Sequence, residues 1–370
     1  MFKHLLLPLD GTAMAERVIP VARGLVQGSD ARITLLHVIE RSAPKERHGQ
    51  AHLQNKDAAE VYLRALVARE FPDRPGVDWH VHDEATRNVA DGLAWHAREF
   101  QPDLVVMCAH GDQWWKERFR GNLAQQLLHA LKHQSPDKTR VSVLLVQPDE
   151  RGLVDYPFHH ILVPMDGSDE HEQGLEPAAQ LALQLKIPML LFTAIPPADA
   201  LQGKDSATAA FLPRATEEVL RLAEKEAARH LTVHVRELQE LGVSVSGRVM
   251  RVDPAEGVLA TAREMHSDLI VIGTHALSAT QAFWSASVTP KILHQTRASF
   301  LLAPGEGDPL LPPVPPLLGS WLVARPDRRR RSRIRPRPPA TGPGHRLPRR
   351  GLRDGLIVDR THGQIGQRVR

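Results

Sequence analysis

The chain has 370 residues, 42% of them hydrophobic and 24% charged, and it carries one cysteine. That length suits two domains at about 150 residues each, and the apolar fraction suffices for packed cores. A single cysteine excludes an intramolecular disulfide and any zinc site built on several thiolates. No apolar run reaches the roughly 18–20 residues that a membrane helix needs. The opening MFKHLLLPLDG is too short for a signal peptide and reads as a first strand, so a cytoplasmic protein is expected.

The charge is unevenly placed. From Pro304 to Arg370 there are 15 Arg, no Lys and 5 acidic residues, a net of +10; taking this from the chain's +4 leaves −6 for residues 1–303. A nucleic-acid role could therefore rest only on the tail, through its arginines; the alternative, which is the reading favoured, is an extension with no selected role.

In chain order, HLLLPL (4–9) predicts a first strand and AMAERVIPVARGLV (13–26) a helix. RITLLHVI (32–39) predicts a second strand, KDAAEVYLRALVARE (56–70) a helix, and VDWHVH (77–82) an alternating strand. VADGLAWHAREF (89–100) predicts a helix, DLVVMC (103–108) a strand, LAQQLLHALK (123–132) a helix and SVLLV (142–146) a closing strand. Continuous apolar runs of this length suit strands buried on both faces of a parallel sheet.

The pattern then starts again. HLLLPLDGTAMAERVIPVARGLV, from His4, returns as HILVPMDGSDEHEQGLEPAAQLA, from His160, which matches Asp10 to Asp166. PDLVVMCAHG (102–111) returns as SDLIVIGTHA (267–276), and SVLLVQP (142–148) returns as SFLLAP (299–304). Between them, RATEEVLRLAEKEAARHLTVHVRELQELG (214–242) predicts one long helix. Each half thus predicts an α/β domain built as an open, doubly wound, parallel five-stranded sheet of Rossmann-like type. In such sheets ligands sit at the carboxyl ends of the strands, near a topological switch point. The domains are expected at 1–150 and 156–304. The Pro/Arg-rich segment 305–370 is expected to be disordered, because 12 Pro and 9 Gly among the 67 residues from Pro304 cannot build a core.

LLLPLDGT and ILVPMDGS at the first strands, LLHV at the second, and the strand–loops DLVVMCAHG and DLIVIGTHA resemble the universal stress protein family in its tandem two-domain form. The resemblance covers residues 1 to about 304. It implies the adenine nucleotide alpha hydrolase-like variant of the fold and a stress-response regulatory role without catalysis. Nucleotide-binding members of that family carry Gly-x-x-Gly, nine residues, then Gly followed by Ser or Thr. In the first half those positions are Cys108, Gly111, Gly121 and Asn122. By analogy Asp10 would hold a ribose and the backbone at Val38 would face adenine. His110 and Gly111 would line the loop, while Gly121 and Asn122 would meet the phosphates of ATP, with Mg²⁺ as its counter-ion.

Polyphosphate needs backbone N–H groups that approach closely, which glycine permits, and it gains from a helix N-terminus. The first loop keeps Gly111 and Gly121 and carries Lys116, Arg118 and Arg120. The second has Gly273, Ala276, Ala286 and Ser287, and its intervening LSATQAFWS has no basic residue, so the site around Asp166, Gly273 and Ser287 reads as degenerate. The alternative reading of Asp10 and Asp166 is an Asp-Gly turn whose carboxylate caps the next helix. Cys108 reads as a small buried residue rather than a reactive thiol.

The chain has no HExxH, GxSxG or GxxxxGK[ST]. His80 with His82, and His129 with His133, lack a third ligand at diagnostic spacing, so no metal site is expected. The two halves are expected to pack as an intramolecular pseudo-dimer through SVLLV and SFLLA, with an unidentified signalling protein as partner. The alternatives are a scaffold that binds no nucleotide and a weak ATP hydrolase.

Overall fold

The computed structural model describes residues 2–41, 46–47, 50–86, 88–109, 123–134, 141–148, 154, 156–166, 172–200, 211–274, 291–292 and 295–304. His110, Gly111, Gly121, Asn122, Ala276, Ala286, Ser287 and the tail 305–370 lie outside these residues.

The first half runs β1 (His4–Pro8), α1 (Ala13–Glu16), α2 (Val18–Leu25), β2 (Arg32–Glu40), a short antiparallel pair β3 (Glu46–Arg47) and β4 (Gln50–Ala51), α3 (Lys56–Glu70), β5 (Val77–Thr86), α4 (Val89–Phe100), β6 (Leu104–Cys108), α5 (Leu123–Gln134) and β7 (Ser142–Val146). The second half runs β8 (Ile161–Met165), α6 (Leu175–Leu185), β9 (Met189–Ile195), α7 (Pro213–Glu240), β10 (Val245–Arg251), α8 (Pro254–Glu264), β11 (Leu269–Thr274) and β12 (Ser299–Pro304).

Each half contributes five parallel strands, and the two sets join edge to edge. The order across the sheet is β10-β9-β8-β11-β12-β7-β6-β1-β2-β5. The seam is the antiparallel pair β7–β12, with Phe300 opposite Leu145, Leu301 opposite Leu144 and Leu302 opposite Val143. Alternation sends side chains to both faces, and both are covered. Leu5, Leu7, Val106, Leu144 and Leu301 belong to one apolar cluster, whereas Leu6, Val105, Val143, Leu145 and Phe300 belong to the other. Both clusters cross the seam.

Helices α3 and α4 begin where Asn55 and Asn88 can cap them; their side chains accept from Ala58 N at 2.9 Å and Ala90 N at 3.1 Å. The stretch 13–26 forms two helices instead of one, because Pro20 has no N–H for the Glu16 carbonyl and its ring crowds that carbonyl. Strand β5 runs to Thr86 rather than 82, following β2 through a register shift between Val38 and Glu40. Glycines let one helix of each half approach the sheet. A Cβ on Gly92 would sit 3.1 Å from Val38 Cγ1, and one on Gly257 would sit 2.8 Å from Phe192 Cζ.

The aspartates of the repeated PDL and SDL motifs have a structural task. Asp103 accepts from Lys3 N at 2.6 Å and His4 N at 3.1 Å, clamping the entry of β1 to β6. Asp268 accepts from His159 N at 2.8 Å and His160 N at 3.1 Å, and so does the same for β8 and β11. Among the described residues no helix is long and apolar enough to cross a membrane.

Candidate functional site

In the first half the chain lays down β1, β2 and β5 to one side, then returns to place β6 and β7 on the other. The switch point lies between β1 and β6, and their carboxyl ends deliver Asp10 and Cys108 to the same place. Leu9 N still bonds Leu36 O at 2.9 Å, after which the chain turns away at Asp10 and Gly11. Gly11 has φ +87, and a Cβ there would lie 2.8 Å from Leu53 Cγ, so both backbone and space favour glycine.

Asp10 does not cap the helix directly. Its Oδ1 accepts from Thr12 N at 3.0 Å and Thr12 Oγ1 at 2.7 Å, and Thr12 Oγ1 in turn accepts from Ala15 N at 3.2 Å. The carboxylate thereby fixes the capping threonine, which is fully buried. On β2, Arg32 and Leu36 turn their peptide groups toward β1. Alternation turns Val38 the same way, beyond the point where β1 has ended. Its side chain packs beside Gly92 on the opposite apolar face. His37 is buried; its Nδ1 donates to the Leu9 carbonyl at 2.7 Å, and burial pulls its pKa below the usual imidazole value. It is therefore neutral, braced against the turn that presents Asp10.

Cys108 packs in the apolar cluster with Leu104 and Val106. Burial pushes its thiol up to about 12, against a smaller opposing pull from Arg17. A soluble thiol reagent at pH 8 is expected to leave the native protein unlabelled and to label one site per chain after denaturation; rapid labelling of native protein would contradict the burial.

Gln50 and Leu53 pack on the turn after β1, a contact that sequence reasoning did not anticipate. Gln50 Oε1 accepts from Ala13 N at 2.7 Å, and Leu53 covers Gly11. A polar stretch with no periodicity carries no signal for such a contact.

In the second half the equivalent switch point lies between β8 and β11. Asp166 follows β8, and Gly273 is buried within β11 opposite Ala303. Of the first-half candidates, the fold places Asp10, Val38 and Cys108 toward the carboxyl ends of the neighbouring strands β1, β2 and β6; His110, Gly111, Gly121 and Asn122 lie outside the described residues, as does Ser287 in the second half.

His80 and His82 both pack on His96, whose ring lies 4.5 Å and 5.0 Å from theirs, centroid to centroid. Burial, foremost, brings His96 down to about 4, so its ring is neutral at pH 7 and stands packed against the other two. The side chains of His129 and His133 lie outside the described residues. A different group was missed: Glu172, His230 and His234 each bring one ligand atom within 4.8 Å of the others. The His-x₃-His spacing in HLTVH was visible, but Glu172 is far upstream and only the fold supplies it.

No curated protein matches the chain. Among solved structures, a universal stress protein from Archaeoglobus fulgidus is similar at 15% identity and a TM-score of 0.56, covering 82% of this chain and 97% of that one. A protein of unknown function from Pseudomonas aeruginosa is similar at 15% identity and a TM-score of 0.53, covering 82% and 92%. These likenesses establish the fold. The profile of the universal stress protein family matches twice, over residues 1–134 and 157–304, once on each half of the ten-stranded sheet, and the chain belongs to that family.

Proposed function

We propose that this chain is a cytoplasmic, non-enzymatic stress-response regulator whose first half binds ATP with Mg²⁺ and whose second half does not. The observation that supports this reading is that Asp10 follows β1 at the first-half switch point, where doubly wound sheets bind ligands, while the Val38 peptide groups on neighbouring β2 face the side beyond the end of β1. Asp10 is held after β1 to accept a sugar hydroxyl, and Val38 offers backbone groups to a purine edge. The loop to Gly121 and Asn122 supplies His110, Gly111 and three basic side chains for phosphate, and Mg²⁺ offsets the remaining charge. The second loop has Ala276 and Ala286 where the first keeps Gly111 and Gly121. In a left-handed backbone conformation each alanine costs about 1–2 kcal/mol.

The two halves act as an intramolecular pseudo-dimer, and nucleotide occupancy is read by a signalling protein.

One observation favours the scaffold reading, in which no nucleotide is bound: Thr12 and Gln50 already engage Asp10 and Ala13 N. Titration calorimetry of ATP and Mg²⁺ into the protein separates the two. Binding is expected, with Gly121→Asp abolishing it and Ser287→Asp leaving it intact. Absence of heat in the wild type supports the scaffold, and loss in the serine variant alone moves the site to the second half. Phosphate release at stoichiometric protein would reveal a hydrolase; none is expected.

A further inference from the structure

We propose that the second half holds a divalent transition-metal ion, zinc by preference, between Glu172 at the entry to α6 and the pair His230 and His234 on α7. Glu172 Oε1 lies 3.0 Å from His230 Nε2 and 3.5 Å from His234 Nε2. A tetrahedral ion with bonds near 2.0–2.1 Å separates its N and O ligands by about 3.3 Å, so Glu172 Oε1 already stands at ligand spacing from both histidine nitrogens, and the ligand atoms of the three residues all lie within 4.8 Å of one another. The two contacts are short, but none of these atoms makes a well-directed hydrogen bond: Glu172 Oε1, His230 Nε2 and His234 Nε2 are buried without a hydrogen-bond partner. Both histidines are almost fully buried, at 3% and 1% exposure. Their rings lie on successive helical turns, 4.7 Å apart centroid to centroid and 86° between planes.

The first half shows what a purely structural version of this contact looks like. Glu16 occupies the position equivalent to Glu172 in the repeated strand–turn segment. It accepts from Tyr62 Oη at 3.1 Å and pairs with the Arg69 guanidinium, both on α3. There one carboxylate meets a hydroxyl and a cation, and the charges balance. In the second half the helix offers two imidazoles and a further carboxylate: Glu237 Oε2 sits 3.4 Å from His234 Nδ1 and is itself buried without a hydrogen-bond partner. With both imidazoles neutral, as metal ligands must be, the two carboxylates face no positive charge among these contacts. A metal ion supplies it and directs Glu237 onto the outer nitrogen of a ligating histidine, the usual carboxylate–histidine–metal arrangement. The donor set also selects the ion, since two imidazoles and one carboxylate suit zinc and its neighbours, whereas calcium and magnesium take oxygen ligands.

The inference is independent of nucleotide binding in the first half. It is tested on the full, tag-free chain, stripped with a chelator and titrated with zinc against a chromophoric competitor. One equivalent of zinc is expected to bind tightly, and cobalt(II) in its place should give the intense visible bands of a tetrahedral site. Glu172→Gln and His230→Gln should each weaken zinc at least about 100-fold, and Glu237→Gln about 10–100-fold. Tyr62→Phe in the first half should leave affinity unchanged. Circular dichroism confirms that each variant is folded, and the wild-type stoichiometry decides the matter even where a variant does not fold. The proposal is overturned if folded wild type takes up no stoichiometric zinc, or if folded Glu172→Gln and His230→Gln variants bind it as wild type does.

Discussion

Leu301→Asp is expected to unfold both halves of the chain together, at a cost above about 5 kcal/mol. Leu301 is fully buried at the centre of β12, opposite Leu144 of β7, in the antiparallel pair that joins the two five-stranded sets. A carboxylate there has no partner, and the apolar cluster it enters continues into the first half through Leu144, Val106 and Leu7. Because neither face of the seam is open to water, the damage cannot stay local. Guanidinium unfolding followed by circular dichroism should show one transition in the wild type and loss of that transition in the variant. A variant whose first half still melts at the wild-type midpoint would show the halves to be independent.

Asp103→Ala and Asp268→Ala should each cost about 1–3 kcal/mol. Each removes the acceptor for two main-chain amides at a strand entry, one of them part-buried, and a buried amide left without its acceptor costs about 1–3 kcal/mol whereas water can replace the acceptor of the exposed one. The two clamps share no partners, so the double variant should show the sum. Asn at either position keeps one acceptor oxygen and should cost less. Chemical denaturation with unchanged m-values tests this; a near-neutral Asp103→Ala would mean that water replaces the carboxylate at the strand entry.

Much of the architecture was legible because buried parallel strands leave continuous apolar runs and the chain repeats itself. KDAAEVYLRALVARE and VADGLAWHAREF coincide with α3 and α4 residue for residue, since an asparagine stands before each to cap it. The break at Arg17 was also written in the chain, as Pro20, but a helical apolar pattern on both sides conceals it. The PDL and SDL aspartates were visible as motifs. Their task was not, because an amide clamp needs the partner strand in place. The same limit hid the bracing of Thr12 by Asp10, the packing of Gln50 and Leu53 on the turn after β1, and the meeting of Glu172 with His230 and His234. Each joins residues that only the folded sheet brings together.

The most direct test of nucleotide binding in the first half is mass analysis of small molecules released when the protein, purified without added nucleotide, is denatured. An adenine nucleotide approaching one per chain is expected from the wild type, the same from Ser287→Asp, and none from Gly121→Asp. Wild-type protein that releases no nucleotide and takes up none on incubation with ATP and Mg²⁺ would contradict the proposal.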